Sequence, residues 1–383
     1  MSHRNTIFSQ LLKFIPRHDF ERLANEHHKG RALRKTSRWS QFTALLLGQL
    51  SGRMSLRDIE TNMDAQSKHL YHLGTKRIAR SSLARLNKEQ PASLYEALFN
   101  KLYLQCKGLA PKHGFRFKNP LYSLDASLID LSLKIFPWSH YALGKGAMKL
   151  QLGLDHKGCI PAFATITESR VSDSSYAKTL KLPKGSIVVF DRGYNDYGWY
   201  KSLNSQGVFF VTRQRSNAKY RVITRQPIDK STGVVSDQII RYTSDRSQKK
   251  QLPDFRRIGY YDAKTQKHYK FITNHLDLSA QTIADIYKQR WQVELFFKWI
   301  KQNLKIKAFL GTTKNAVMTQ IWIALCTVLI LAFIKFSSKI QASMQTMLRL
   351  FQLNLFIKRD LLSLLTGDAP PLEINTNQRV LVF

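Results

Sequence analysis

The sequence predicts an α/β protein: a helical N-terminal region, a strand-rich middle with a β-rich insertion, and a helical end. Three observations lead to that class. Residues 1 to about 106 repeat apolar residues at helical spacing, as in LLKFIPRHDFERLANEH and WSQFTALLLGQLSG. From Leu121 the pattern turns to alternation and short apolar runs, which are strand signals. After about residue 280 helical spacing returns and continues nearly to the end.

Within the N-terminal region, Ser55 to Glu89 resembles a helix-turn-helix layout. SLRDIETNM predicts a short helix opened by a Ser55 cap, with Asp58 three residues on. A polar linker follows. In RIARSSLARLNKE, Ser81 or Ser82 would cap a second helix carrying Arg85 and Lys88. That helix either reads DNA or is an ordinary basic surface helix.

Lys107 to Asn119 is a connector rich in Gly, Pro and Lys. LYSLDASLIDLSL then alternates as a strand, and MKLQLGLDHKGCIPAFATITE reads as two strands joined by a turn at DHKG. SIVVF is a fully apolar run that ends at Asp191, and VFFVTRQR is a further strand. From about Lys219 to Lys270, short β-like runs such as YRVIT, DQIIRYT, FRRIGYYD and HYKFIT are interleaved with Lys, Arg and Tyr. This marks the insertion, bounded at about 207–275. IADIYKQRWQVELFFKWIKQNLK has good helix formers and neither Gly nor Pro, so it predicts one helix. Ile321 to Ile334 is almost wholly apolar, and its 14 residues fall short of the roughly 20 that cross a bilayer. A buried central helix is predicted there. A last helical segment, MQTMLRLFQLNLFIKRDLLSLL, precedes a polar end from Gly367 that frays.

Bulk chemistry narrows the partners. The 383 residues hold 60 Lys and Arg against 26 Asp and Glu, a net charge of +34 spread along the chain. Such a field suits a protein that lies along a polyanion and releases its counterions. Nucleic acid is the leading reading, ahead of an anionic membrane surface or a ribosomal partner. Cys106, Cys159 and Cys326 have neither metal-ligand spacing nor a disulfide framework, so they read as free buried thiols of a reducing cytoplasm. The start, MSHRNTIFSQLLKF, lacks the apolar core of a signal peptide.

The chemistry concentrates in a few side chains. On a helix, Tyr287, Arg290, Glu294 and Lys301 fall within an arc of about 60°, beside an apolar stripe of Val293, Phe297, Ile300 and Leu304. Taken alone, that row is a structural salt bridge as readily as a site. Asp125 interrupts a strand where Val or Ile belongs, and Asp191 closes an apolar run. A turn or capping aspartate is the plain alternative for each. Carboxylates are rarely buried unless paired or bound to metal. Two strand aspartates aimed at one helix glutamate would make an oxygen-only site suited to Mg²⁺ or Mn²⁺. Two such ions can drive an in-line phosphoryl transfer.

With those residues in view, the chain resembles DDE transposases of the bacterial IS4 insertion-sequence family. Asp125 in LDAS, Asp191 in VFDRGY and the spacing Tyr287-x2-Arg290-x3-Glu294-x6-Lys301 carry the resemblance. It covers roughly residues 120 to 335 well. It implies an RNase H-like mixed-sheet catalytic core interrupted by a β-rich insertion, behind an all-helical N-terminal domain. The domains then read as 1–106 for DNA binding, 107–335 for catalysis and 336–383 as a C-terminal helical region. The resemblance also implies binding to terminal inverted repeats, two-metal strand cleavage, hairpin ends, excision and strand transfer into target DNA.

Carried over by motif, Asp125, Asp191 and Glu294 would hold two Mg²⁺ ions, with Mn²⁺ as substitute. Tyr287, Arg290 and Lys301 would contact end DNA, with Arg192 and Lys298 as further phosphate contacts. Some relatives stack a Trp of the insertion on a flipped base, but no Trp lies between Trp199 and Trp291 here. Trp299 or an insertion tyrosine is the stand-in. Lys145, Lys149, His140 and His156 show no spacing that makes a metal site. The partners implied are double-stranded DNA and a second copy in a synaptic homodimer, acting at the nucleoid in the bacterial cytoplasm with no membrane. Met344 to Leu365 either makes the dimer contact or closes the core. The alternatives are a transposase-derived DNA-binding protein without catalysis, or a general metal-dependent nuclease.

Overall fold

The computed structural model describes residues 5–142 and 145–368. The chain divides into two units, one joining residues 1–110 with 301–383 and the other spanning 111–300.

The first unit is helical. Helices Arg38–Leu50, Ser93–Leu109 and Lys314–Ser337 pack together at its centre. Phe20, Trp39 and Phe42 pack on one another edge-on and tilted, and Phe99 meets Trp322 with ring centroids 5.3 Å apart. The apolar helix runs for 24 residues, longer than its purely apolar stretch, and 89% of its most apolar window is buried within the protein. A helix apolar all round needs cover on every side, and neighbouring helices supply it. Cys106 and Cys326 are buried in this core, whereas Cys159, expected buried, is exposed on a turn at φ +52°.

Two sequence readings change here. Residues 301–335, read as catalytic domain, and 336 onward, read as a separate region, both cluster with the N-terminal helices. An apolar stripe shows that a helix is buried, but does not name the partner that buries it. Helix Leu56–Ala65 has the expected capping box of Ser55 and Asp58. Helix Arg80–Glu89, by contrast, begins after Ala79, so Ser81 and Ser82 lie inside it and cap nothing. Between the two, the expected polar linker is itself partly helical, over Ser67–Leu70 and Tyr71–Leu73. The fraying end from Gly367 falls almost wholly outside the described residues.

The second unit is built on one sheet, whose ten strands among the described residues are as follows. They are β1 (Leu121–Leu131), β2 (His140–Ala142), β3 (Lys145–Asp155), β4 (Ile160–Glu168), β5 (Ile187–Phe190), β6 (Phe209–Arg213), β7 (Tyr220–Arg225), β8 (Val234–Tyr242), β9 (Phe255–Asp262) and β10 (Lys267–Thr273). The order is β2-β3-β1-β5-β6-β10-β9-β8-β7, with β4 also on β3. β4, β3 and β1 pair antiparallel, and β1, β5 and β6 run parallel. This is the RNase H-like core. Helix Tyr197–Ser205 makes the crossover from β5 to β6. β6 belongs to the core, so the insertion starts after Arg213 and not at about 207. Strands β7 to β10 form an antiparallel meander that extends the same sheet.

Strand alternation sorts the two faces. Val188, Phe190 and Phe210 pack under the crossover helix with Trp199 and Tyr200. Leu121, Ile187, Val189 and Val211 face the other way, under Ile283, Ala284, Ile286 and Tyr287 of helix Ala280–Gln289. Arg256 of β9 ties the meander to that helix. Its guanidinium donates to both carboxylate oxygens of Asp237 on β8, at 2.9 and 2.6 Å, and to the carbonyls of Leu276 and Leu278. Both side chains are buried, at 8% and 3% exposure.

A buried imidazole gives this unit a pH dependence. His156 is hydrogen-bonded to Ser123 at 2.6 Å, and burial pushes it down to about 4, with His113 adding repulsion. An unfolded imidazole titrates near 6.5. As pH falls, the unfolded chain therefore takes up the proton first. Stability from this group is complete above about pH 6.5 and drains away toward pH 4, a loss of about 3 kcal/mol. Urea unfolding at pH 7.5, 5.5 and 4.5 should show that slope, and His156→Gln should flatten it. A variant with the wild-type slope would show that the dependence arises elsewhere.

Candidate active site

Asp125 and Asp191 are brought together by strand register. Ser123 of β1 lies opposite Val189 of β5 in the parallel pair. Each aspartate is two residues further along its own chain, so both side chains follow the same alternation. Asp125 shares a face with Leu121, and Asp191 with Ile187 and Val189. That is the face covered by helix Ala280–Gln289, which leads toward Glu294.

The segment expected to be one helix is two. Ala280–Gln289 ends at Arg290, and Trp291–Asn303 follows. At the junction Arg290 N–H bonds to Tyr287 O at 3.1 Å and Val293 N–H to Arg290 O at 3.2 Å, the tighter i→i+3 pattern. The break puts Glu294 in the first turn of a new helix, where the peptide dipoles favour negative charge. The predicted stripe of Val293, Phe297, Ile300 and Leu304 is buried throughout.

Arg290 joins the acids. One end of its guanidinium is hydrogen-bonded to Glu294 Oε1, and the other lies 3.9 Å from Asp125 Oδ2. Burial, with repulsion from Asp191 and Glu294, pushes the Asp125 carboxyl up to about 6 against the pull of Ala126 N–H and Arg290. Asp191 Oδ1 accepts Gly193 N–H at 2.8 Å, which holds the turn after β5. Both other acids thus act electrostatically on Asp125. Among the described residues no three Asp, Glu, His or Cys side chains are drawn into a ready metal-ligand group. Arg290 lies between Asp125 and Glu294.

The other predicted residues divide. Tyr287 is buried, with its ring 4.8 Å from Phe271 and Arg290 over its face, and burial raises its phenol. Lys301 lies two turns beyond Glu294 on the same helix. Arg192 and Lys298 are exposed beside Asp191 and Glu294 in sequence. The sequence reading missed Thr212, Asn195 and Arg213. Thr212 Oγ1 donates to Asp191 O at 3.3 Å and to Asn195 Oδ1 at 3.0 Å, fixing the loop that carries Asp191. Arg213 lies 5.0 Å over the Tyr269 ring and acts electrostatically on Tyr287. The available signal was a threonine at the end of the apolar run VFFVT, next to the strand of Asp191.

The donor set fits a hard divalent cation. It is oxygen-only, and Asp125 is half-buried with one guanidinium as its close counter-charge. Arg290 Nε is also buried without a partner, which suits an incoming anionic oxygen.

A family profile described as Transposase DDE domain matches residues 117–330, which include all three acids. A second, described as a domain of unknown function (DUF4372), matches residues 3–76. A Sinorhizobium fredii protein named as transposase y4zB is 30% identical over 304 residues, covering 78% of this chain and 82% of its own. A Synechocystis protein named as a transposase for insertion sequence element IS4SA is 23% identical over 318 residues, 82% of this chain and 86% of its own. A cryo-EM structure of a piggyBac transposase synaptic complex with hairpin DNA aligns at a TM-score of 0.44 and 12% identity, over 96% of this chain and 81% of that one.

Proposed function

This chain belongs to the transposase DDE-domain family, of the IS4 kind, and on that premise we propose that it binds the terminal inverted repeats of its element. It cuts them at the ends and joins the freed 3′ ends to target DNA. The observation that supports this most is the meeting of Asp125 and Glu294 on Arg290, with Asp191 on the neighbouring strand.

Asp125, Asp191 and Glu294 would hold two Mg²⁺ or Mn²⁺ ions. When bound, such ions activate a water or 3′-hydroxyl and stabilise the leaving oxygen. The chain's own residues do the positioning. Arg290 offers its unpaired Nε to a phosphate oxygen. Tyr287, packed on Phe271, fixes the wall behind it. Lys301, with the exposed Lys298 and Arg192, adds cation along the DNA backbone, and the +34 charge supplies the wider attraction.

Hairpin ends, a synaptic homodimer and action at the nucleoid in the cytoplasm complete the reading. A gel assay with purified protein, Mg²⁺ and labelled end DNA tests it. Nicks, hairpins and strand-transfer products at the end are expected. Binding without cutting favours a transposase-derived binding protein, and cutting without end preference favours a general nuclease.

A further inference from the structure

On the face of the sheet opposite the acids lies a largely buried polar chain of Tyr194, Gln151, Asp173 and Lys149. Its place in the fold gives it a task. The parallel ladder of β1 and β5 runs as far as Ser123 opposite Val189, two residues short of each aspartate. Beyond that pair, side chains must set the distance between Asp125 and Asp191.

Tyr194 reaches across this gap. Its N–H bonds to Asp191 O at 3.3 Å, so the tyrosine and the aspartate sit in one closed turn. Its ring is buried, at 1% exposure, against Phe190 and Trp199. Strand β1 lies between β5 and β3, and the Tyr194 hydroxyl passes beneath it to donate to Gln151 Oε1 on β3, at 3.4 Å. Gln151 stands opposite Ala126, the neighbour of Asp125. The contact therefore links the turn that carries Asp191 to the strand paired with that of Asp125.

Gln151 is fully buried in a strand, at 0% exposure, and a buried amide is kept where its polar ends find partners. Its Nε2 donates to Asp173 Oδ1 at 3.4 Å. Lys149 Nζ holds the same oxygen at 3.0 Å and donates to Val171 O at 2.8 Å. The ion pair thus decides which way the amide points, with its oxygen toward Tyr194. Burial first, then repulsion from Asp173, Asp125 and Asp191, raises the Tyr194 phenol, so it stays protonated and donates. Both contacts of the amide are long for hydrogen bonds, so the chain matters as a spacer more than for its strength.

We propose that Tyr194 and Gln151 are positioning residues that set the separation of Asp125 and Asp191, and with it the affinity for the divalent ion and the preference for Mg²⁺. The assignment rests on the transposase reading. Mg²⁺ demands near-ideal octahedral geometry, so a misplaced carboxylate should tell on Mg²⁺ before the larger Mn²⁺.

Tyr194→Phe with Gln151→Met removes both partners and strands no polar group between them, so the urea midpoint should move little. Half-maximal end cleavage should then need about tenfold more Mg²⁺ but less than about threefold more Mn²⁺, with the rate at saturating ion within about threefold of wild type. Calorimetric titration of the full chain with each ion should show the same split without any reaction. Gln151→Met alone, which takes only the acceptor, should show it too and serves if the pair does not fold. Tyr200→Phe, which takes a hydroxyl from the same buried cluster, should change neither ion. Equal shifts for the two ions overturn the proposal. So does a slower rate at saturating ion with unchanged binding, the mark of a merely structural role. If the wild type cuts its ends and the variants match it in both ions, only this proposal falls. If the wild type cuts no end DNA with either ion, the transposase reading falls and takes this with it.

Discussion

Asp125→Asn and Glu294→Gln are each expected to lower cleavage and strand transfer by about 10³-fold or more, while end DNA still binds within about threefold of wild type. That loss corresponds to about 4 kcal/mol of transition-state stabilisation. The amides keep the shape of the side chains but lose the charge that a hard divalent ion requires. Neither change removes a cation, so the attraction for the DNA backbone persists. Arg290 makes the contrast sharper: it is bound to Glu294 and adjacent to Asp125, so either amide frees part of a guanidinium and takes nothing from DNA contact. Fluorescence anisotropy and a cleavage gel on the same preparations separate binding from chemistry. A variant that keeps a tenth of wild-type cleavage would remove that acid from the reaction.

The second large effect concerns stability. Arg256→Met is expected to cost about 3 to 5 kcal/mol, because it leaves Asp237 charged and alone at 3% side-chain exposure. The same change drops the carbonyls of Leu276 and Leu278, which border the Ser279 cap of helix Ala280–Gln289. Removing both charges, as Arg256→Met with Asp237→Leu, should cost less than the single change, since no buried charge is then stranded. Urea unfolding of the full chain measures all three. A single-variant cost under about 1 kcal/mol would mean that water reaches the pair.

The acids were legible in the sequence because each broke a local rule. Asp125 stands in an alternating strand, Asp191 ends an apolar run, and Glu294 lies beside a helical stripe. The core strands were legible for the same reason, since period and turn signals act over a few residues. What stayed hidden depended on distant partners. Nothing in KQRWQV announces a break at Arg290, as every residue there tolerates a helix. Ser81 and Ser82 are good caps by type, but the cap position falls two to three residues earlier, at Ala79. The apolar helix Lys314–Ser337 could have covered either unit, and only packing assigns it to the N-terminal helices. Thr212 and Asn195 went unnoticed because their importance lies in a hydrogen bond between loops.

The placement of β10 between β6 and β9 has a consequence for how this gene can change. The inserted segment cannot be cut out as a removable module, because it supplies the neighbour that satisfies the outer edge of β6. A slip of one residue in that pairing would turn Phe271 away from Tyr287, on the helix that leads to Glu294. Shortened or lengthened descendants should therefore carry their indels in the turns of the meander and leave the β6–β10 ladder in phase.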